Sequence, residues 1–129
     1  MTEQKQANVE SDAPEISIEQ TNETEVGPHV EKLSGRIDAS KAPELRRMFE
    51  RMIDDGTTNL IIDLSETGFM DSAGLAVLVS AYKRARKLDG SVRLVKPQSE
   101  GVSRILSLTK FDRVFDIDDS VEDAVKAFS

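Results

Sequence analysis

Ser72 has two chemically informative neighbours in the sequence. The carboxylate of Asp71 comes directly before it, and Gly74 follows two positions after it. A serine at the start of a helix can act as a nucleophile or cap the helix. The Gly-x-Ser-x-Gly nucleophile elbow would need glycine where Met70 stands. The chain's only histidine, His29, follows a proline and is the sole candidate base. The spacing therefore argues against a serine hydrolase and leaves open a capping role for Ser72.

Three aspartates near the C-terminus, Asp116, Asp118 and Asp119, are the other group that could bind a ligand. A calcium-binding EF-hand loop starting at Asp116 would need glycine at its sixth position and glutamate at its twelfth, where the chain has Val121 and Ala127. We therefore interpret the aspartates as a polar turn before a helix. The glycine-rich signatures of nucleotide-binding loops do not occur. We expect no metal, no cofactor, no catalytic residue and no enzymatic activity.

The elements around Ser72 can be predicted from apolar spacing. Residues 60–64 form a nearly continuous apolar run, which predicts a central strand covered on both faces. A helix is predicted from about Ser72 to Leu88, so Ser72 follows the carboxyl end of a buried strand, where α/β folds place functional groups. On a helical wheel the predicted core face holds Leu75, Leu78, Val79, Tyr82 and Ala85. Beside Ser72 the wheel places Ala73, Ala76, Val77 and Ser80, a smooth patch suited to docking unless another element covers it.

The rest of the chain alternates strands and helices. Strands are predicted near residues 15–20, at 29–37 with a bulge at Gly35, at 91–96, and as a short edge strand at Val114–Phe115. Ser40, Ser99 and Ser120 are predicted to cap three further helices, the first ended by Gly56. The order β-β-α-β-α-β-α-β-α predicts an α/β fold with a mixed, mostly parallel sheet of about five strands and about four helices.

Composition excludes several classes of protein. The 129 residues include no cysteine, so disulfides and thiolate metal sites are excluded. No apolar run is long enough to cross a membrane and the N-terminus does not resemble a secretory signal, so we expect a cytoplasmic protein. Of the net charge of −7, residues 1–25 carry −6, so the remainder has no basic excess for direct nucleic-acid binding. Residues 1–14 are predicted to be a disordered acidic leader, either a solvated tail or a partner-binding arm.

Two motifs give the chain a resemblance to a known family. Residues 69–75, Phe-Met-Asp-Ser-Ala-Gly-Leu, resemble the signature of anti-sigma factor antagonists, the small STAS-domain proteins of bacterial partner-switching pathways. Residues 33–38, Leu-Ser-Gly-Arg-Ile-Asp, resemble that family's second-strand motif. Asp63-Leu64 before a short loop, and a strand ending at Pro97, fit the same layout. The resemblance covers about residues 15–128 and implies a STAS domain over 15–129.

The resemblance implies a phosphorylation switch in transcription regulation, as in stress responses. Ser72 would be phosphorylated by an anti-sigma factor that is an ATP-dependent serine kinase, and a metal-dependent serine/threonine phosphatase would reverse the modification. The unphosphorylated form would bind the anti-sigma factor and release the sigma factor. The alternative is a constitutive STAS scaffold, or an accessory subunit of a signalling or lipid-transport complex. Family members often carry a second hydroxyl where Ala73 stands.

Residues of the matching motifs and of the small-residue patch form the predicted partner-binding site. Asp38 either shapes this docking loop near Ser72 or caps the first helix. The complete predicted set is Asp38, Met70, Asp71, Ser72, Ala73, Gly74, Ala76, Val77 and Ser80.

Overall fold

The structure is a computed structural model that describes residues 27–129. The predicted acidic leader and the predicted strand near residues 15–20 lie outside the described residues. Within residues 27–129 there are six strands, four α-helices and one short 3₁₀ helix. In chain order they are β1 (His29–Lys32), β2 (Gly35–Ile37), α1 (Ala42–Asp54), β3 (Asn59–Asp63), β4 (Thr67–Met70), α2 (Ser72–Lys87), β5 (Ser91–Val95), α3 (Glu100–Leu108), the 3₁₀ helix (Phe111–Arg113), β6 (Asp116–Asp118) and α4 (Val121–Ala127).

Four parallel strands form the main sheet in the order β1-β3-β5-β6, while β2 and β4 form a separate parallel pair. Helices connect the parallel strands, as such a sheet requires. The predicted α/β class and the four helices are confirmed, and all strand pairs among residues 27–129 are parallel. None of the helices in this part of the chain is long and apolar enough to cross a bilayer.

The central strand β3 packs on both faces, as its apolar run predicted. Leu60 and Ile62 belong to the large core beneath α1 and α2, whereas Ile61 packs with Val95 and Ala124 in a smaller core beneath α4. Successive side chains of a strand point to opposite faces, so the unbroken apolar run supplies both cores.

The strand predicted over residues 29–37 is wrong in extent, because the chain leaves the main sheet after β1. The Leu33 amide donates to the Asp63 carbonyl at 3.0 Å, and the Gly35 amide donates to Glu66 at 3.0 Å. Gly35 has φ +81, and the β2–β4 register shifts between Gly35 and Arg36, so the predicted irregularity at Gly35 is present. β4 is absent from the predicted elements, which have only a loop between Leu64 and Ser72.

Two predicted helix caps are confirmed and one is wrong. The Ser99 and Ser120 hydroxyls accept from the Val102 and Asp123 amides, at 3.3 and 3.1 Å. α1 instead begins after Lys41 with no side-chain cap, so Ser40 does not cap it. At the other end of α1, Gly56 adopts φ +108, the left-handed conformation predicted for it.

The edge strand predicted at Val114–Phe115 is wrong by two residues. Phe115 is buried in the large core, with its ring 5.2 Å from that of Tyr82 in an edge-to-face arrangement. The strand is β6, and its Asp116 and Asp118 carboxylates accept from the Arg93 guanidinium at 3.3 and 2.8 Å. These two aspartates therefore form ion pairs on an edge strand rather than the polar turn that the sequence suggested.

Candidate functional site

Ser72 is the first residue of α2, and its side chain is exposed. The N-cap is Asp71, whose Oδ1 accepts from the Ala73 amide at 2.9 Å and the Gly74 amide at 3.1 Å. The capping role considered for Ser72 is therefore filled by its neighbour. Within residues 27–129 the Ser72 hydroxyl makes no hydrogen bond to another side chain, so it is accessible for chemistry.

Asp71 also connects α2 to the loop before α1. Its second carboxylate oxygen, Oδ2, accepts from the Ala39 amide at 3.2 Å, and its own amide lies 3.5 Å from the Ile37 carbonyl to which it donates. One side chain thus fixes the first turn of α2 and the segment that follows β2. The two loops around Ser72 are held together as one unit by this carboxylate.

Asp38 organises the other half of that unit. Its carboxylate accepts from the Ser40 hydroxyl at 2.7 Å, the Ser40 amide at 3.1 Å and the Lys41 amide at 3.3 Å. The hydrogen bond from the Ser40 hydroxyl is the main reason that the pKa of Asp38 lies below its ordinary value of 3.8; desolvation opposes it, and the two amides and Arg36 reinforce it. Asp38 therefore orders the backbone of residues 38–41 before α1 but does not cap the helix, which has no side-chain cap, and its role in a docking loop stays a prediction.

Gly74 allows the first turn of α2 to lie directly against β2. A Cβ atom at this position would overlap the Ile37 carbonyl and would come within 2.8 Å of the Met70 Cγ. Any larger residue would therefore push α2 away from the β2–β4 pair. The glycine of the Asp-Ser-x-Gly motif has a packing reason that spacing alone does not reveal.

Three residues of the predicted binding set are buried rather than exposed. Met70 is 5% exposed, Val77 is 1% exposed, and Gly74 is also buried. Val77 lies three residues after Gly74 and four before Ala81, positions that share one side of a helix, and that side faces the core. The placement of Val77 on the docking patch is therefore wrong. Met70 and Gly74 do not reach the surface and instead pack on the buried side of the first turn of α2.

The exposed members of the set line a groove that runs along α2. Ser72 and Ala76 are exposed in it, Ser80 is half-buried, and Ala73 packs beside it against the core. The groove has a volume of about 900 Å³. The groove is also lined by four apolar residues and one threonine, Leu75, Val79, Leu88, Phe111 and Thr109. Its charged lining residues are Arg46, Asp54, Lys83, Arg84 and Lys87.

Sequence reasoning missed an exposed cation–π pair formed by Arg36 and by Phe69, which lies three residues before Ser72. The Arg36 guanidinium lies 4.0 Å from the centre of the Phe69 ring, and Phe69 is 36% exposed. Phenylalanine and arginine are both enriched in protein interfaces relative to the rest of the surface. The available signal is a phenylalanine two residues before Asp71, and its outward direction becomes clear only once β4 is known to be a strand.

Comparisons with known proteins agree on one family. The family model described as STAS domain matches residues 16–124. The anti-sigma-B factor antagonist of Bacillus subtilis (strain 168) is 33% identical over 94 residues, which cover 73% of this chain and 84% of that protein. The crystal structure of an anti-sigma factor antagonist from Mycobacterium paratuberculosis superimposes with a TM-score of 0.69 at 30% identity, covering 77% of this chain and 83% of that one.

A more distant structure shows the same fold. The Bacillus cell fate determinant SpoIIAA in its phosphorylated form superimposes with a TM-score of 0.62 at 20% identity, covering 78% of this chain and 89% of that one. The arrangement of strands and helices around Ser72 is therefore one that other proteins share.

Proposed function

The chain belongs to the STAS domain family, and from this membership and the Ser72 site we propose that it is an anti-sigma factor antagonist switched by phosphorylation. The unphosphorylated protein binds an anti-sigma factor that is a serine kinase, and the sigma factor is released. The kinase transfers a phosphoryl group to the Ser72 hydroxyl, and a serine/threonine phosphatase removes it. The protein itself is a cytoplasmic, non-catalytic regulator that needs no cofactor.

The observation that carries this proposal is the state of Ser72. Its hydroxyl is exposed at the start of α2, and the capping that a serine there could provide is already supplied by Asp71. The hydroxyl also borders the groove that offers a partner an apolar floor. A residue that the fold does not use, at the end of an accessible groove, is suited to carry a reversible modification.

Phosphorylation at this position should abolish binding without unfolding the protein. A phosphate adds about −1.5 to −2 charges at pH 7. The positive end of the helix dipole tolerates an anion at its N-terminus, so the domain stays folded. In a partner interface the same charge is desolvated at a cost of several kcal/mol, and about 4 kcal/mol changes affinity roughly a thousandfold. The SpoIIAA structure in its phosphorylated form is that of a folded relative.

The test is the affinity of serine variants for the serine-kinase anti-sigma factors of the protein's own cells, each purified and titrated by calorimetry. Ser72→Ala should bind one of them as the parent does, whereas Ser72→Asp should remain folded and bind at least tenfold more weakly. Ser103→Asp, an exposed change in the middle of α3, is the matched charge control and should bind normally. If Ser72→Asp keeps full affinity, the switch is wrong and the protein is a constitutive STAS scaffold or accessory subunit.

A further inference from the structure

We infer that Arg46 of α1 binds the phosphoryl group of phosphorylated Ser72, forming an ion pair across the groove between α1 and α2. This inference rests on the proposed modification of Ser72 and assigns a residue to receive it. The inference concerns only which residue of the same chain the phosphate contacts. It can therefore be wrong even if Ser72 is phosphorylated and phosphorylation switches partner binding.

The first turn of α2 cannot fully accommodate the phosphate. A free helix N-terminus binds anions through its unpaired amides. Here the Ala73 and Gly74 amides already donate to the Asp71 carboxylate, at 2.9 and 3.1 Å. The same carboxylate accepts a hydrogen bond from the Ala39 amide. A phosphate that displaced the carboxylate would therefore break three hydrogen bonds. A phosphate on Ser72 therefore projects away from Asp71, which repels it, and into the groove.

The relative position of α1 and α2 places Arg46 near that phosphate. The Arg84 guanidinium of α2 pairs with the Asp54 carboxylate of α1 at 2.9 Å, and each of these residues lies twelve positions after the first residue of its helix. α1 follows β2 and α2 follows β4, and these strands are parallel, so the helices run in the same direction. The Arg84–Asp54 pair then indicates that equal positions lie side by side. Arg46 is then level with Ala76, one helical turn or about 6 Å beyond Ser72.

The direction of the Arg46 side chain shortens this gap. Side chains of an α-helix tilt toward its N-terminus, so the guanidinium extends toward the end of α1 that lies beside Ser72. Arg46 is exposed and lines the same groove as Ser72. The planar guanidinium can donate two parallel hydrogen bonds to a phosphate, which makes arginine the most suitable cation for this contact.

The other cations of the groove are occupied or distant. Arg84 is held by Asp54 and lies 4.0 Å from Glu50. Lys83 and Lys87 are on α2 itself, about 16 and 22 Å along the helix axis from Ser72. Among residues 27–129 no carboxylate lies within 4.0 Å of the Arg46 guanidinium. The neighbouring carboxylates of Asp71 and Asp38 oppose the phosphate, and among the described cations that line the groove Arg46 is the one left to pair with it.

The pair gives the phosphorylated state a second means of exclusion. To reach the phosphate, the Arg46 side chain must lie across Ala76. The small Ala76 side chain otherwise leaves the groove open next to Ser72. The phosphate thus adds charge and also draws a long side chain over the surface that a partner would cover. Removing Arg46 should therefore reduce the ratio of partner affinities between the unphosphorylated and the phosphorylated form of the same variant.

The experiment uses the full chain with phosphoserine genetically encoded at position 72, so no kinase or partner is needed. The second pKa of the phosphate is measured by ³¹P NMR in the parent, in Arg46→Gln and in Arg47→Gln, which removes an equal charge from the next residue of α1. A nearby cation stabilises the doubly charged phosphate and lowers its pKa. Arg46→Gln should therefore raise that pKa by about half a unit, which corresponds to about 0.7 kcal/mol. Arg47→Gln should raise it by less than half as much.

A second NMR measurement separates direct contact between Arg46 and the phosphate from a general effect of charge. The Arg46 Nε resonance should shift between the unmodified and phosphoserine forms of the parent, and the Arg47 Nε resonance should stay in place. Equal phosphate pKa values in the two glutamine variants, together with an unmoved Arg46 resonance, would overturn the inference. That result would leave the proposed switch at Ser72 intact, because the phosphoserine is installed without the kinase. Failure of the switch would appear instead as unchanged partner affinity of Ser72→Asp.

Discussion

Replacing Asp71 with alanine should loosen both loops of the site, because one carboxylate serves two elements. The change removes the cap bonds to Ala73 and Gly74 and the bond from Ala39. Loss of an N-cap costs about 1 kcal/mol, within a range of roughly 0.5–2. The Ala39 amide is near solvent and can bond to water, so its loss adds only a fraction of the ~0.5–1.5 kcal/mol of an ordinary hydrogen bond. We expect Asp71→Ala to lower the free energy of unfolding by about 1.5 kcal/mol.

Urea unfolding followed by circular dichroism measures this loss, and hydrogen exchange locates it. With an m-value near 1.5 kcal/mol/M, the unfolding midpoint should fall by about 1 M. The Ala39 amide should exchange faster in Asp71→Ala than in the parent. Asp71→Asn keeps an oxygen that can cap the helix and should lose less than half as much stability, since asparagine caps about as well as aspartate.

Ser120→Ala is the matched control for capping alone. It removes the bond from the Asp123 amide at the start of α4 and should cost about 1 kcal/mol without changing exchange at Ala39. If Asp71→Ala is as stable as the parent, or if Ser120→Ala accelerates Ala39 exchange equally, the view of Asp71 as the link between the two loops is wrong.

Three further predictions concern packing, binding and pH. Gly74→Ala should destabilise the protein by about 1–3 kcal/mol through its clash with the β2 backbone, whereas Gly101→Ala, on an open helical face, should be neutral or stabilising in the same thermal melts. Phe69→Ala should leave the melting temperature nearly unchanged but weaken binding of the anti-sigma factor about tenfold, and Val125→Ala, a similarly exposed change on α4, should bind normally. Because the pKa of Asp38 is lowered by folding, its stabilisation is complete above pH 3.8 and is lost as pH falls through the lowered value; Asp38→Asn should flatten that part of a pH series of urea midpoints.

Local signals in the sequence were sufficient for much of the fold. The apolar run 60–64 identified the central strand, and Ser99 and Ser120, each placed directly before an apolar helical pattern, identified the starts of α3 and α4. Glycine at position 56 identified the end of α1. Each of these features depends on residues that are close in the chain, so the pattern alone determines the outcome.

Long-range hydrogen bonds decided the features that the sequence did not reveal. The break after β1 and the existence of β4 depend on bonds between distant residues, such as that from the Thr67 hydroxyl to the Leu33 carbonyl at 2.6 Å. Likewise, Asp71 and Ser72 are both good N-caps by type, and the contacts of Asp71 with Ala39 and Ile37 set which residue begins the helix.

The width of the buried side of α2 explains the one misplaced residue of the docking patch. The helical wheel gave the correct direction for Ser72, Ala76 and Ser80, all of which border the groove. It could not show that α2 packs against both the sheet and α1, which buries Val77 as well. The angle of a side chain follows from the sequence, but the extent of burial follows from the neighbouring elements.

The most direct measurement of the central claim is the phosphate occupancy of Ser72 in protein isolated from its own cells during growth and stress. Cleavage after Glu66 and Lys83 releases a peptide spanning residues 67–83, in which fragmentation distinguishes Ser72 from Ser80. We expect a phosphate on Ser72 whose occupancy changes with conditions. A peptide that stays unmodified at Ser72 in every condition would contradict the account and identify the protein as a constitutive STAS partner.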